Sequence, residues 1–510
     1  MARAPWWLAA WSLLAWVMLS LARRTRRPLR FVAVALPAWA AMGAVSGLAL
    51  PASGAPVPWW LWIALAAAGL LAQLASRSAR APHWTLFEPP PAGLRMRASA
   101  ASLPLFVLFA GLGWWLALDL SVQGHVQNRY LGLRHSVTVF TALLLVSVLP
   151  VLAHGLASLW VTAAGLVTNA LRPGGGAGPR AWLRPVLLSA VYAAGVLGLA
   201  LVGTGWRQLT GELLSLLLLL GVAWFFLLRA ARWTDTRASG RGWIVASMAP
   251  LLVHVVVVLV ALVITDDLGP MLVALFASAI YAGAFAAQAL LVRGARWPMA
   301  GVVGLLATLA LIAVLLGGLL GFAKLPGDSA ARVAARLDSV SNPFSAENDQ
   351  LARVLWLGRH TPAGGWGFGA VPWCGTQAVE GCPGVPAQTQ SDYSFAALRA
   401  VMGAGGAFAL LAAYLLWIGT LAVQQASRST GALSEPGPGG AARAWLAWLC
   451  VCWAVLVIVQ TSVTVAGNLG VLPLTGVTWP FVSFGLWSML HHVLVLGLVL
   501  HRWDAGSDSR

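Results

Sequence analysis

Long apolar runs follow one another along almost the whole of this 510-residue chain. A helix needs about 20 mostly apolar residues to cross a bilayer, and thirteen runs are of that kind. Charged residues make up only 9% of the chain, whereas a soluble domain needs about 25% to cover its surface. The runs also lack the alternation of membrane β-strands. The sequence therefore predicts an all-α polytopic membrane protein of about thirteen transmembrane helices.

The distribution of arginine predicts how these helices are oriented. Arg-rich loops alternate with connections that carry no arginine, such as 51–57 and 264–270. Because positively charged loops stay in the cytoplasm, we expect the Arg-rich loops inside and the large loop 323–393 outside. The net charge of +17 then reflects membrane topology rather than nucleic-acid binding. The Arg-rich loops are 23–30, 76–98, 172–184 and 229–241.

The predicted spans fall into two regions. The first three lie in an extra N-terminal membrane region, 1–98, and the other ten lie in a core, 99–502, which precedes a cytoplasmic tail, 503–510. The positive cluster follows the first run instead of preceding it, so we expect an uncleaved first span with its N-terminus outside. The spans are 5–22, 31–50, 58–75, 101–119, 136–166, 186–203, 212–229, 243–264, 271–292, 299–322, 394–424, 446–466 and 486–501.

The exterior loop is the candidate functional region. It is polar and rich in glycine and proline, and it ends in Asp392 at the start of the next apolar span. A carboxylate at the edge of a bilayer is costly to keep, which makes Asp392 a candidate for chemistry. The same residue suits a helix N-cap, and the two roles are compatible. Within the loop, Asp328–Val340 has apolar residues at helical spacing and predicts an amphipathic helix.

Cysteine and histidine positions suggest few other sites. Cys374 and Cys382 lie in the exterior loop, where an oxidising compartment would permit a disulfide bridge. The histidines within spans could relay protons, but interhelical hydrogen bonds are the expected role. These histidines are His254, His491 and His492.

Four segments, in this order, resemble one known family. The third belongs to the exterior loop, which also carries Asn342, Gln350 and a glycine-rich turn before it. Together the segments resemble the SEDS proteins, the group of RodA and FtsW, over about residues 100–502. The segments are TGWRQLTGEL (Thr204–Leu213), TDDLGP (Thr265–Pro270), QSDYSFA (Gln390–Ala396) and GNLGVLPLTGVTWPFVSFG (Gly467–Gly485).

The resemblance implies a glycosyltransferase that polymerises lipid II at the outer face of the bacterial cytoplasmic membrane, in elongation or division. Asp392 would be the catalytic base, taking the proton of the acceptor hydroxyl. A divalent cation, Mg²⁺ or Mn²⁺, and a class B penicillin-binding transpeptidase partner are also implied. The residues expected to bind substrate are Arg207, Gln208, Glu212, Asp267, Asn342, Gln350, Pro473, Thr475, Gly476, Pro480 and Ser483.

The chain also departs from the family's pattern. Ala400-Val401 stands where the family has an acidic pair, and the loop carries a Cys-bearing insertion at 370–388. These departures are typical of a divergent or specialised member. Three alternatives therefore stay open: a flippase or transporter of a lipid-linked precursor, a catalytically inactive scaffold of the cell-wall synthesis complex, and a polymerase or ligase of another lipid-linked polysaccharide.

Overall fold

The computed structural model describes the second half of the chain and part of the first. The predicted N-terminal spans and the two loop cysteines lie outside the described residues. So do most of the predicted span 136–166 and the end of the predicted tail. The described residues are 98–122, 134–135, 138–139, 141–142, 183–233, 241–265, 268–292, 296–324, 326, 328–344, 349–368, 370–371, 389–433, 438–473 and 476–505.

Within these ranges the regular structure is helical, and no strand is present. A short 3₁₀ helix, Gly203–Trp206, joins α2 to α3. The α-helices are α1 (Ala98–Val122), α2 (Leu183–Val202), α3 (Arg207–Trp233), α4 (Arg241–Ile264), α5 (Leu268–Val292), α6 (Trp297–Phe322), α7 (Asp328–Ser341), α8 (Asp349–His360), α9 (Ser394–Leu433), α10 (Pro438–Asn468) and α11 (Leu486–Ala505).

The helices confirm the predicted all-α polytopic class. Every predicted span from 186–203 onward overlaps a helix, as does the span 101–119. The amphipathic helix predicted at Asp328–Val340 is present as α7. Among the described residues, five helices are long and apolar enough to cross a membrane. Their apolar windows are Gln208–Phe226, Gly269–Ala287, Pro298–Gly321, Ser394–Gln425 and Ala444–Asn468.

The chain divides into two compact units, each described here by itself. The first comprises residues 1–150, 335–421 and 460–510, and the second comprises 151–334 and 422–459. Aromatic rings fill the core of the first unit. Phe109 of α1 lies 5.0 Å from Tyr414 and stacks on Trp417 at 5.8 Å, both on α9. This packing holds α1 against the helix that follows Asp392.

Close helix contacts and a few polar bonds hold the second unit together. At the contact of α5 with α6, a Cβ on Gly283 would lie 1.8 Å from the hydroxyl of Thr308, so only glycine fits there. His254 of α4 bridges two other helices, because its ring bonds the Tyr192 hydroxyl at 2.5 Å and lies 3.3 Å from the Leu218 carbonyl. The interhelical role expected for His254 is therefore confirmed.

Candidate functional site

Asp392 lies two residues before α9 begins at Ser394, at the edge of the first unit's core, and Tyr393 between them occupies the cap position. Its side chain is half-buried, and the next residues, Tyr393 and Ser394, are buried. The N-terminus of a helix favours negative charge, because its free N–H groups and its dipole point there. The Tyr393 hydroxyl donates to the Gln350 side-chain oxygen at 2.9 Å. Helix α8 of the exterior loop is therefore bonded to the residue next to Asp392.

An irregular segment, residues 476–485, forms a wall beside Asp392. Gly476 is exposed, and a Cβ on it would lie 3.4 Å from Oδ2 of Asp392, so the carboxylate faces bare backbone. The Ser394 and Ser483 hydroxyls are 2.7 Å apart and bonded to each other. The Phe484 N–H donates to the Gln390 carbonyl at 2.8 Å. Two of the motif segments of the sequence therefore meet at one carboxylate.

The backbone of this wall is held by polar side chains of α10. Gln460 donates through its amide to the Thr478 carbonyl at 3.0 Å, and Thr464 donates to the Val477 carbonyl at 3.0 Å. Asn468, one turn further, donates to the Asp392 carbonyl at 2.8 Å. Irregular backbone at membrane depth needs such partners, because lipid supplies none.

Sequence reasoning missed this polar stripe of Gln460, Thr464 and Asn468. The available signal was their spacing of four residues, which places them on one face of an otherwise apolar helix. Their carbonyl partners follow only from the tertiary structure. Gln460 also accepts, at its side-chain oxygen, a hydrogen bond from Nε2 of His492 in α11 at 3.0 Å. The interhelical role expected for His492 is confirmed by this bond.

Phe481, within the wall, has an unusual backbone. It is the one non-glycine residue of the described chain with positive φ, at 68°, and its side chain is 1% exposed. A bulky residue in the left-handed region costs about 1–3 kcal/mol and persists only where its surroundings enforce it. The ring lies 5.2 Å from Phe106 and 5.9 Å from Trp417. Tight aromatic packing therefore enforces the shape of the wall.

The glycine-rich turn of the exterior loop docks onto a break in α9. Gly403 has φ 73° and ψ 171°, which interrupts the helix. The Trp366 and Gly367 N–H groups donate to the Ala400 and Val401 carbonyls, each at 2.9 Å. The glycine-rich turn therefore donates hydrogen bonds to two carbonyls that lie just before the break in α9. A Cβ on Gly403 would lie 1.9 Å from the Ala363 carbonyl, so only glycine allows this approach.

The structure brings several of the predicted site residues to the surroundings of Asp392. Gln350, Gly476 and Ser483 are described above, and the buried Pro480 accepts at its carbonyl from Tyr414 at 3.1 Å. Two further members of the first unit are Asn342, exposed just after α7, and Pro473, half-buried after α10. In the second unit, Arg207 begins α3, Gln208 is exposed and Glu212 is half-buried. Asp267 and Thr475 lie outside the described residues.

No family model matches the chain. A stretch of 172 residues is 28% identical to a protein of Thioalkalivibrio sp. (strain K90mix) described as a probable peptidoglycan glycosyltransferase FtsW. That stretch covers 33% of this chain and 38% of the relative, so the match spans less than half of the relative's length.

Two solved structures are also similar. One, titled as the structural coordination of polymerization and crosslinking by a peptidoglycan synthase complex, shares 22% identity, with a TM-score of 0.35 over 87% of this chain and 97% of the other. The second is a variant of the rod shape determining protein RodA of Thermus thermophilus. It shares 21% identity, with a TM-score of 0.37 over 79% of this chain and 96% of the other.

Proposed function

We infer that this chain is a member of the SEDS family, from its ordered motifs and its match to an FtsW relative, and we propose that it polymerises lipid II into glycan strands. The observation that carries the proposal is the setting of Asp392. A half-buried carboxylate at a helix N-terminus lies against the bare backbone of Gly476, where two motif segments meet. We propose that the acceptor hydroxyl of a sugar approaches the carboxylate past the exposed Gly476.

The proposed chemistry is glycosyl transfer. The acceptor's hydroxyl oxygen forms a bond to the anomeric carbon of the donor, while the bond from that carbon to the lipid pyrophosphate breaks. The Asp392 carboxylate accepts the proton of the hydroxyl, and a positioned base of this kind contributes about 10²–10⁴-fold to rate. The nearby helix N-terminus stabilises the ionised form that must accept the proton.

A divalent cation remains part of the proposal. Mg²⁺ and Mn²⁺ prefer oxygen ligands, and the half-buried carboxylate of Glu212 in α3 is of that chemical type. Asp267, outside the described residues, is a second carboxylate of that type. Such a cation, when bound, would neutralise the charge of the departing pyrophosphate. Arg207 would add a second positive group for the same charge.

Purified protein in liposomes with lipid II tests the proposal, with Asp392→Asn as the variant. This change keeps the size of the side chain and removes the base, so we expect polymerisation to fall by about 100-fold or more. Asp338→Asn is the matched control, because Asp338 is exposed on α7 and its bonds to side chains, within the part of the chain that the structure describes, are to the neighbouring Ser341. Unchanged polymerisation by Asp392→Asn would refute the proposal.

The same preparation separates the alternatives. Translocation of the lipid II headgroup without polymer would favour a flippase. Restoration of normal cell shape by Asp392→Asn in depleted cells would favour an inactive scaffold. Polymer formed from another lipid-linked saccharide, and not from lipid II, would favour a different polymerase. Co-purification with a class B penicillin-binding transpeptidase tests the partner, which the family resemblance alone implies.

A further inference from the structure

We propose that Asn468 is a positioning residue for Asp392, an inference that rests on the function proposed above. Asn468 is 4% exposed at the last turn of α10. Its amide bonds the Asp392 carbonyl and the Ala396 N–H, although 76 positions separate Asn468 from Asp392 in the sequence. Because it is buried, Asn468 acts through Asp392 and not on the substrate.

Both polar atoms of the Asn468 side-chain amide make hydrogen bonds. Nδ2 donates to the carbonyl of Asp392 at 2.8 Å and to the carbonyl of Thr464 at 2.9 Å. Oδ1 accepts from the N–H of Ala396 at 3.0 Å. This pattern requires a donor on one side and an acceptor on the other, so the orientation of the amide is determined by its partners.

These bonds restrain both ends of the turn that carries the carboxylate. The Ala396 N–H is in the first turn of α9, where N–H groups have no partner within the helix. Asn468 therefore serves as an N-cap supplied by another helix, and its second bond restrains the Asp392 carbonyl. The Cα of Asp392 cannot shift along α9 without breaking one of the two bonds.

The end of α10 is itself a rigid support. The Val471 N–H donates to the Ala466 carbonyl at 2.9 Å and the Gly470 N–H donates to the Gly467 carbonyl at 3.1 Å. With Gly470 at φ 71°, this is a Schellman motif, which terminates a helix in a defined geometry. Asn468 therefore projects from a well-restrained turn. A hydrogen-bonded amide at a rigid helix end can hold a catalytic carboxylate in place. Such restraint matters because a misplacement of about 1 Å can cost about 100-fold in rate.

Three variants in liposomes test the inference: Asn468→Leu, Asn468→Gln and the control Tyr281→Phe. Leu removes every bond of the amide at similar size, whereas Gln keeps the amide but displaces it by one methylene. Tyr281→Phe removes a buried bond of the second unit, from α5 to the Cys452 carbonyl of α10, and leaves the bonds of Asp392 and of the wall in place. The measurements are kcat and KM for lipid II, the thermal unfolding midpoint, and deuterium exchange of peptides covering residues 392–398.

For Asn468→Leu we expect kcat to fall about tenfold or more while KM changes less than about twofold. Exchange at 392–398 should become faster. Tyr281→Phe should lower the unfolding midpoint comparably, with little change in that exchange and a much smaller loss of kcat. Asn468→Gln should fold as the parent does and show a smaller loss of kcat. If Asn468→Leu does not fold, Asn468→Gln carries the test, with faster exchange and reduced kcat expected.

Two results would overturn the inference. One is an unchanged kcat in a folded Asn468 variant, and the other is a loss of kcat in the Asn468 variants no larger than that in Tyr281→Phe at the same loss of stability. Failure of the proposed function is distinguishable, because there Asp392→Asn itself would keep polymerising. Inactive Asp392→Asn beside fully active Asn468→Leu would reject the positioning role alone.

Discussion

At the scale of single residues, the site depends on the lack of a side chain at Gly476, beside Asp392. Gly476 has φ 68° and no Cβ, and Oδ2 of the carboxylate lies where a larger residue would approach it. The positive φ favours glycine there, and the missing Cβ leaves the side of the carboxylate open. The two effects can be separated, because Gly470 shares the positive φ but does not face Asp392.

We expect Gly476→Ala to reduce polymerisation strongly, because its methyl group would occupy space beside the carboxylate. The matched control is Gly470→Ala, with φ 71° and a nearest contact also at 3.4 Å, but to a methyl group of Leu355. Both variants should lose roughly 1 kcal/mol of stability from the left-handed backbone. Turnover of lipid II and the thermal unfolding midpoint, measured together, check this. Equal losses of activity in both variants would contradict it.

A second residue-scale prediction concerns a departure from the family. Ala400 occupies a position where the SEDS pattern has an acidic residue, and its side chain is fully buried. Ala400→Glu should therefore lower the unfolding midpoint without raising activity, since burying an ionised group costs free energy. Ala400→Gln brings nearly the same volume without charge, so the difference between the two variants measures the cost of charge. Higher activity of Ala400→Glu would show that the departure weakens catalysis.

At the scale of elements, the break in α9 joins the exterior loop to the helix that carries the site. The glycine-rich turn donates to carbonyls of α9, and Arg399 of α9 donates to the Gly358 carbonyl of α8 at 2.6 Å. Tyr393 adds its bond to Gln350. The loop is therefore attached to α9 on both sides of the first turns, and a straight α9 could not accept it.

We expect Gly403→Ala to destabilise the protein by about 2 kcal/mol or more, because φ is positive and the methyl group would collide with the Ala363 carbonyl. Gly405→Ala, two residues on in the same helix, is the control. Gly405 is exposed with nothing within 4 Å of a Cβ. That change should be neutral or stabilising by up to about 1 kcal/mol. Thermal unfolding in detergent tests this prediction. Similar unfolding midpoints for the two variants would argue against a required break in α9.

At the scale of the whole molecule, the chain combines apolar helices with a single long polar excursion between α6 and α9. The orientation inferred from arginine places that excursion outside the cell, where lipid II polymerisation would require it. The helices were predictable from sequence because lipid demands about 20 apolar residues for each span. The break at Gly403 was not, because three glycines lie close together in MGAGG and only tertiary contact selects one.

Some residues of the site were predictable from the sequence, and others were not. Asp392 is apparent from its place at the edge of a span, and Gly476 from its motif. Asn468 was not identified, because the partners of a polar residue within an apolar helix depend on which chain segment packs against it. The positive φ of Phe481 likewise comes from packing by rings far away in sequence, and no local pattern encodes it.

Labelling of introduced cysteines checks the orientation of the chain. In a background with Cys374 and Cys382 replaced by serine, Phe344→Cys should react with a membrane-impermeant maleimide on intact spheroplasts, since Phe344 is 72% exposed in the exterior loop. Ser239→Cys, in the Arg-rich loop 229–241, should react only after the membrane is opened. The reverse pattern would invert the assigned topology and move Asp392 to the cytoplasmic side.

The polar stripe of α10 has a consequence for how this protein can vary. Gln460, Thr464 and Asn468 each donate to a backbone carbonyl of another segment, so a change at any of them affects a neighbouring segment as well as α10. Apolar exchanges should be freely accepted on the lipid-facing sides of α10 and rejected along this one line. The composition of α10 is mostly apolar. Random mutation should nevertheless show a line of positions, spaced by four residues, that do not tolerate apolar substitutions.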